Sequence, residues 1–140
     1  MLGEPQFANA VRVHLPGGLI GLSDLRDFEL VADPESGPFL LLRALEPDPI
    51  EFVAIELEGV IPDYRVEIGE EDAEELGLSG DGSDAWVLNI ATVKSWSPQR
   101  VTANLVAPLV VNRKTGVGKQ VVLTNYQKYS VNHPLIDDAA

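Results

Sequence analysis

Residues 101–123 read VTANLVAPLVVNRKTGVGKQVVL, and the punctuation of this stretch decides the fold class. Three β-rich runs, Val101–Val106, Leu109–Val111 and Gln120–Leu123, are separated by Pro108 and by a turn over Asn112–Gly116, with Gly118 beyond it. Proline and glycine cut the chain into short extended pieces, which predicts three strands.

Upstream, Ala85–Val93 is another β-rich run and contains Trp86. Val11, Val13 and Leu15 alternate with Ala10, Arg12 and His14, the period of a strand with one buried face. Pro16-Gly17-Gly18 ends that strand, and Leu19-Ile20-Gly21-Leu22 follows as a compact apolar loop. Phe28–Val31 and Phe39–Leu42 flank a turn rich in Pro and Gly, which predicts a hairpin. Glu51–Leu57 and Tyr64–Ile68 alternate in the same way, after a link kept extended by Pro47 and Pro49. One helix is expected, Glu70–Leu76, with acids at its start and Gly77 to end it. Many short strands, one or two short helices and no internal repeat predict an all-β fold: a small antiparallel barrel-like or sandwich domain spanning residues 1–140.

The formal charge of −12 on 15.2 kDa repels phosphate backbones and anionic lipid, so neither direct nucleic-acid binding nor membrane binding is expected. Its distribution is uneven. Residues 24–84 hold 19 acids against Arg26, Arg43 and Arg65, a net −16, whereas residues 85–136 hold six bases and no acid. The expectation is one anionic face and one apolar, mildly basic face. The chain has no cysteine, no signal-like start and no apolar run of membrane length, which together predict a cytoplasmic protein.

Catalytic chemistry finds little support. His14 and His133 have no partner at a useful spacing, and Ser130, His133 and Asp137 crowd one short stretch instead of spanning a scaffold. Glu70, Glu71, Asp72, Glu74 and Glu75 lack the ligand alternation of a calcium loop, as does Asp81–Asp84. They read as a solvated helix face or as a docking surface for a basic partner. Arg113, Lys114 and Lys119 are too few for a nucleic-acid patch. No enzyme activity, metal or cofactor is expected. Trp86 and Phe39 read as core, and Trp96 as an exposed loop aromatic.

The segment Thr102–Asn112, followed by Lys119–Leu123, resembles the signature of the flagellar assembly factor FliW family. Gly18–Leu22, Pro38–Leu42 and Asp63–Val66 agree in order and spacing, and extend the resemblance from the first strand to Pro134. Ile20 stands where that family usually has proline, Leu22 where it has phenylalanine, Arg43-Ala44 where it has a Gln-Ser pair, and Leu57 where proline is common. The resemblance implies a barrel-like, non-enzymatic cytosolic protein, monomeric when free. It implies two partners: the C-terminal region of flagellin, and the RNA-binding translational repressor CsrA. Binding to CsrA would relieve repression of the flagellin messenger, and new flagellin would reclaim the factor. A rival reading is an acidic nucleic-acid mimic that occupies the site of another nucleic-acid-binding protein; a metal-dependent hydrolase built on the acid cluster is a second. Asn104, Leu105, Val106, Pro108 and Asn112, together with the five acids of 70–75, are the candidate protein-binding residues. Asn104, Asn112 and Pro108 have the alternative of shaping turns, and Leu105 and Val106 qualify as contacts only if exposed.

Overall fold

The structure, a computed structural model, describes residues 10–32, 35, 37–45 and 50–137. Its strands are β1 (Ala10–His14), β2 (Asp27–Ala32), β3 (Leu40–Ala44), β4 (Glu51–Ile55), β5 (Ala85–Trp96), β6 (Gln99–Ala103), β7 (Leu109–Asn112), β8 (Gly118–Gln120) and β9 (His133–Asp137). Helix α1 covers Glu70–Glu75, and a 3₁₀ turn covers Tyr126–Lys128. All strand ladders are antiparallel, in the order β1-β2-β3-β4-β5-β6-β9, with β7 on β5 and β8 on β7. The all-β expectation with one short helix is met. The sheet curls without closing, and one parallel bridge between His14 and Val117 links β1 to the β7–β8 turn.

β5 organises the molecule. Its residues 85–88 pair with β7, 89–91 with β4, and 91–96 with β6. Between Ala91↔Ala103 and Leu88↔Leu109, β5 advances three residues while its partner advances six. β6 and β7 are therefore one interrupted strand, and residues 104–108 are its ejected loop.

Alternation sends Val13, Phe28, Leu30, Leu42, Ala54, Leu88, Leu109 and Val111 into one inner core between the curled β1–β4 meander and β5–β7. Each fully buried large aliphatic or aromatic side chain there contributes about 1.5–3 kcal/mol. Two outer cores cover the other side of β5. Ile55, Leu57, Tyr64, Ala103, Leu105 and Leu123 form one, and Leu76, Val87, Val110 and Val121 form the other beneath α1.

Three predicted strands differ from expectation. Tyr64–Ile68 keeps the expected alternation of burial but joins no ladder, because Tyr129 Oη, Thr124 N and Asn125 Nδ2 take up its backbone groups one at a time. The first run of the opening stretch stops at Ala103, and Val121–Leu123 bonds to the ejected loop, not to a strand. Asp33, Pro34 and Ser36 of the predicted turn, the Pro47–Pro49 link and the side chain of Trp96 lie outside the described residues. On the outer face of the meander, Arg12, Glu29, Arg43 and Glu51 stand side by side across four strands, a ladder of alternating charge in which the Glu29 side chain is fully buried.

Candidate functional site

The ejected loop 104–108 satisfies all of its own backbone groups. Asn104 N–H donates to Ile90 O (3.0 Å) and Leu105 N–H to Ser130 O (3.0 Å). Val106 and Ala107 N–H both donate to Asn104 Oδ1, at 2.9 and 3.0 Å. The carbonyls accept in turn: Asn104 O from Asn89 Nδ2, Leu105 O from Tyr64 Oη, Val106 O from Leu123 N, Ala107 O from Gln120 Nε2 and Pro108 O from Val121 N. A non-repetitive segment can run through the interior only when nothing polar is left unpaired.

Leu105 is 2% exposed, so the condition for its being a contact is not met; Pro108 and Asn112 are buried as well. Asn104 folds the loop onto itself. Asn112 Nδ2 donates to Leu76 O (2.9 Å) and Gly77 O (3.3 Å), and its Oδ1 accepts from Lys114 N (2.8 Å), so it holds the end of α1 against the β7–β8 turn. Val106 and Asn104 are half-exposed.

Sequence reasoning passed over three residues that build this hub. Asn89, fully buried on β5, donates to Tyr64 Oη (2.8 Å), and Tyr64 stacks edge-on against Tyr129 at 4.9 Å. Burial pushes the Tyr64 hydroxyl up to about 12, against the opposing hydrogen bond from Asn89. Gln120 is the third. Its Nε2 grips Ala107 O while its Oε1 accepts Ile20 N–H at 2.9 Å, which ties the Gly18–Leu22 loop to the ejected loop. An amide alone in an apolar strand run was the available signal for both Asn89 and Gln120.

The Gly18–Leu22 loop is a compact knob. Leu19 and Leu22 exchange backbone hydrogen bonds (3.2 and 2.8 Å), with Ile20 and Gly21 at the tip and Gly21 at φ +81°, where a type II turn places glycine. Gly18 has φ +69°, and a Cβ there would lie 2.6 Å from Leu22 O. Ile20 is 61% exposed, Leu22 43% and Val122 49%. Val122 is two residues beyond Gln120 on the outward side of an alternating run. Three of the five segments that carry the family resemblance, Gly18–Leu22, Thr102–Asn112 and Lys119–Leu123, therefore meet at Gln120.

The end of helix α1 shares a small cleft with Pro16 and Gly17, which precede the knob. Leu78 N–H returns to Ala73 O and Gly77 N–H to Glu74 O, the paired bonds of a Schellman end. Lys119 Nζ bridges Asp72 Oδ1 (2.6 Å) and Glu75 Oε2 (2.7 Å), which raises the ammonium pKa. Glu70, Glu71 and Glu74 remain exposed and make no ion pair among the described residues. Two of the six bases of the basic segment pair with acids of residues 24–84. Lys119 reaches α1; Arg113 lies 3.9 Å from Glu56 and stacks on Trp86; Arg100 meets Asp137. The halves separated along the chain interlock in space.

No triad is assembled. His133 and Asp137 are four residues apart on extended β9, about 13 Å, and Asp137 is paired with Arg100. His14 Nδ1 meets Asp27 Oδ1 at 2.8 Å, a pairing that sequence spacing did not reveal. Among the described residues no cluster of three or more His, Cys, Asp or Glu is placed to hold a metal. In the polar loop after α1, Asp84 accepts from Ser79 N and Oγ, and Asp81 from Ser79 Oγ and Ser83 N; both carboxyls are lowered, Asp81 to about 2. No helix among the described residues is long and apolar enough to cross a membrane.

The family model described as FliW protein matches residues 1–135. The chain is similar to the flagellar assembly factor FliW of Geobacter sulfurreducens, with 33% identity over 99% of this chain and 84% of that protein. The counterpart from Thermosipho africanus is also 33% identical, over 96% and 91% of the two chains. A crystal structure of the flagellar assembly factor FliW superposes with a TM-score of 0.79 at 29% identity, covering 98% of this chain and 92% of that one.

Proposed function

This chain belongs to the FliW family of flagellar assembly factors, and from that premise we propose that it works in the cytoplasm as a non-enzymatic monomer that binds flagellin and binds and antagonises CsrA. The observation that supports this reading is the hub itself: three signature segments distant in the chain join at Gln120, and Ile20, Leu22 and Val122 beside it are exposed. Loop tips carried on a rigid scaffold suit recognition.

Antagonism of RNA binding is then an electrostatic effect of the bound factor. A body of charge −12 held beside an RNA-binding protein lowers the local potential and weakens its hold on phosphates, even when the RNA site stays open. Lys119 neutralises part of α1, so the charge that acts outward is concentrated on Glu70, Glu71 and Glu74. These three are the acids to remove, because replacing Asp72 or Glu75 would also break the Lys119 contacts.

Calorimetric titration of the purified chain with flagellin and, separately, with CsrA tests the reading, and binding to both is expected. RNA affinity of CsrA, measured with increasing factor, should fall to a plateau. The E70Q/E71Q/E74Q variant should bind CsrA yet antagonise it less, with a flatter salt dependence. Failure to bind either partner overturns the proposal, and loss of RNA affinity without a plateau overturns the remote mechanism.

A further inference from the structure

We propose that Asp81–Gly82, in the loop joining α1 to β5, is the chain's site of spontaneous isoaspartate formation, and that the Ser79 hydroxyl protects it while the loop is folded.

The sequence holds a single Asp-Gly pair and no Asn-Gly pair. Asp-Gly rearranges most readily because glycine has no Cβ to keep its backbone nitrogen away from the carboxyl before it. The Gly82 nitrogen attacks Asp81 Cγ, a C–N bond forms, and the carboxyl hydroxyl leaves with the amide proton as water. A succinimide results. Water then opens one of its two C–N bonds: one choice restores aspartate, and the other carries the main chain through Cβ and Cγ. The first step needs a free nitrogen, a protonated carboxyl and a side chain able to turn toward that nitrogen.

The loop opposes all three. Gly82 N–H donates to Ser79 O (3.0 Å), and Gly82 O accepts from Ala85 N–H (3.1 Å), so the glycine is tied on both sides. Asp81 Oδ1 accepts from Ser79 Oγ (2.7 Å) and Ser83 N (3.0 Å), which holds its side chain in place. Hydrogen bonds to the carboxylate also favour the ionised form, which has no hydroxyl to lose; the Asp81 pKa is lowered to about 2, first of all by Ser79. Ser79 is itself anchored, because its N–H donates to buried Asp84 (3.0 Å). Rearrangement would insert a backbone carbon between the two ends of that Ser79–Asp84 bond, and so lengthen the link from α1 to β5.

The test incubates the full chain at neutral pH for several weeks, both folded and in guanidinium chloride. Isoaspartate is located by fragmentation mass spectrometry of the tryptic peptide 66–94, released after Arg65 and Lys94. Folded wild type should accumulate it at Asp81 several-fold more slowly than unfolded wild type, since reaction awaits opening of the loop. Folded S79A should react several-fold faster than folded wild type. In D81N the leaving group is ammonia and no carboxyl has to be protonated, so adding S79A should accelerate loss of that amide less than it accelerates rearrangement of Asp81. Equal rates in folded and unfolded wild type overturn the protection. A folded S79A chain no faster than wild type, or equal acceleration in the D81N background, overturns the role of the hydroxyl. If S79A does not fold, the ratio of unfolded to folded rates decides: it should be smaller for D81N than for wild type, and equal ratios overturn the role of the bonded carboxylate.

Discussion

Tyr64 concentrates the argument for the ejected loop into a single hydroxyl, which donates to Leu105 O at 3.0 Å and accepts from Asn89 at 2.8 Å. Y64F should cost about 1–3 kcal/mol in urea unfolding, because it strands two buried polar groups at once. The hydroxyl also sets an alkaline limit. Its folded pKa of about 12 lies above the ordinary 10, so the proton is held more tightly in the fold, and stability is complete below pH 10 and declines as pH climbs toward 12. Two units correspond to at most about 2–3 kcal/mol. Melting profiles of wild type and Y64F between pH 8 and 12 should therefore converge as pH rises; parallel profiles would show that the hydroxyl is not the titrating group. None of this was legible beforehand, because Tyr64 in its alternating run reads as an ordinary inward side chain. Val11 and Val13 show the limits of alternation. The two share a face, yet Val11 is 46% exposed and Val13 only 2%.

At the scale of elements, helix α1 is attached from outside itself. It buries none of its own six residues, and it is held by Leu76 in the third core, by Asn112 at its end and by Lys119 along its side. N112A should raise amide exchange across residues 70–78 while leaving β1–β4 protected, and K119M should do the same more weakly, since a half-exposed ion pair contributes about 1 kcal/mol or less. Equal protection in both variants would mean that Leu76 alone anchors the helix. The sequence announced this helix through its acids and Gly77, and its observed end is one residue shorter than expected. The seam between β6 and β7 was beyond its reach. Pro108 and Asn104 mark a break, but only the pairing of β5 on both sides of that break makes two strands into one interrupted partner.

For the whole molecule, composition was a sound guide to class and a poor guide to surface. The acids of residues 24–84 and the bases of 85–136 suggested two faces, and Arg113 and Lys119 are paired with acids across that division. Pairing along a chain says nothing about pairing across a curled sheet. What survives folding is the net −12, a self-repulsion that salt relieves. Raising NaCl from about 10 mM to about 150 mM, which shortens the Debye length from about 30 Å to about 8 Å, should raise the melting temperature. A fall would show that the surface ion pairs outweigh the repulsion.

Because the inner face of β1–β4 is roofed by Leu88, Leu109 and Val111, the meander has no lid at the moment it leaves the ribosome. About fifty more residues must follow Ile55 before the lid exists, which takes on the order of 3–10 s of synthesis. By residue 84 the emerging chain carries 20 of its 22 acids and four of its ten bases. Neighbouring nascent chains on one messenger then repel each other while their greasiest surfaces are bare. The lopsided order of charge along the sequence should therefore slow aggregation of the unfinished chain.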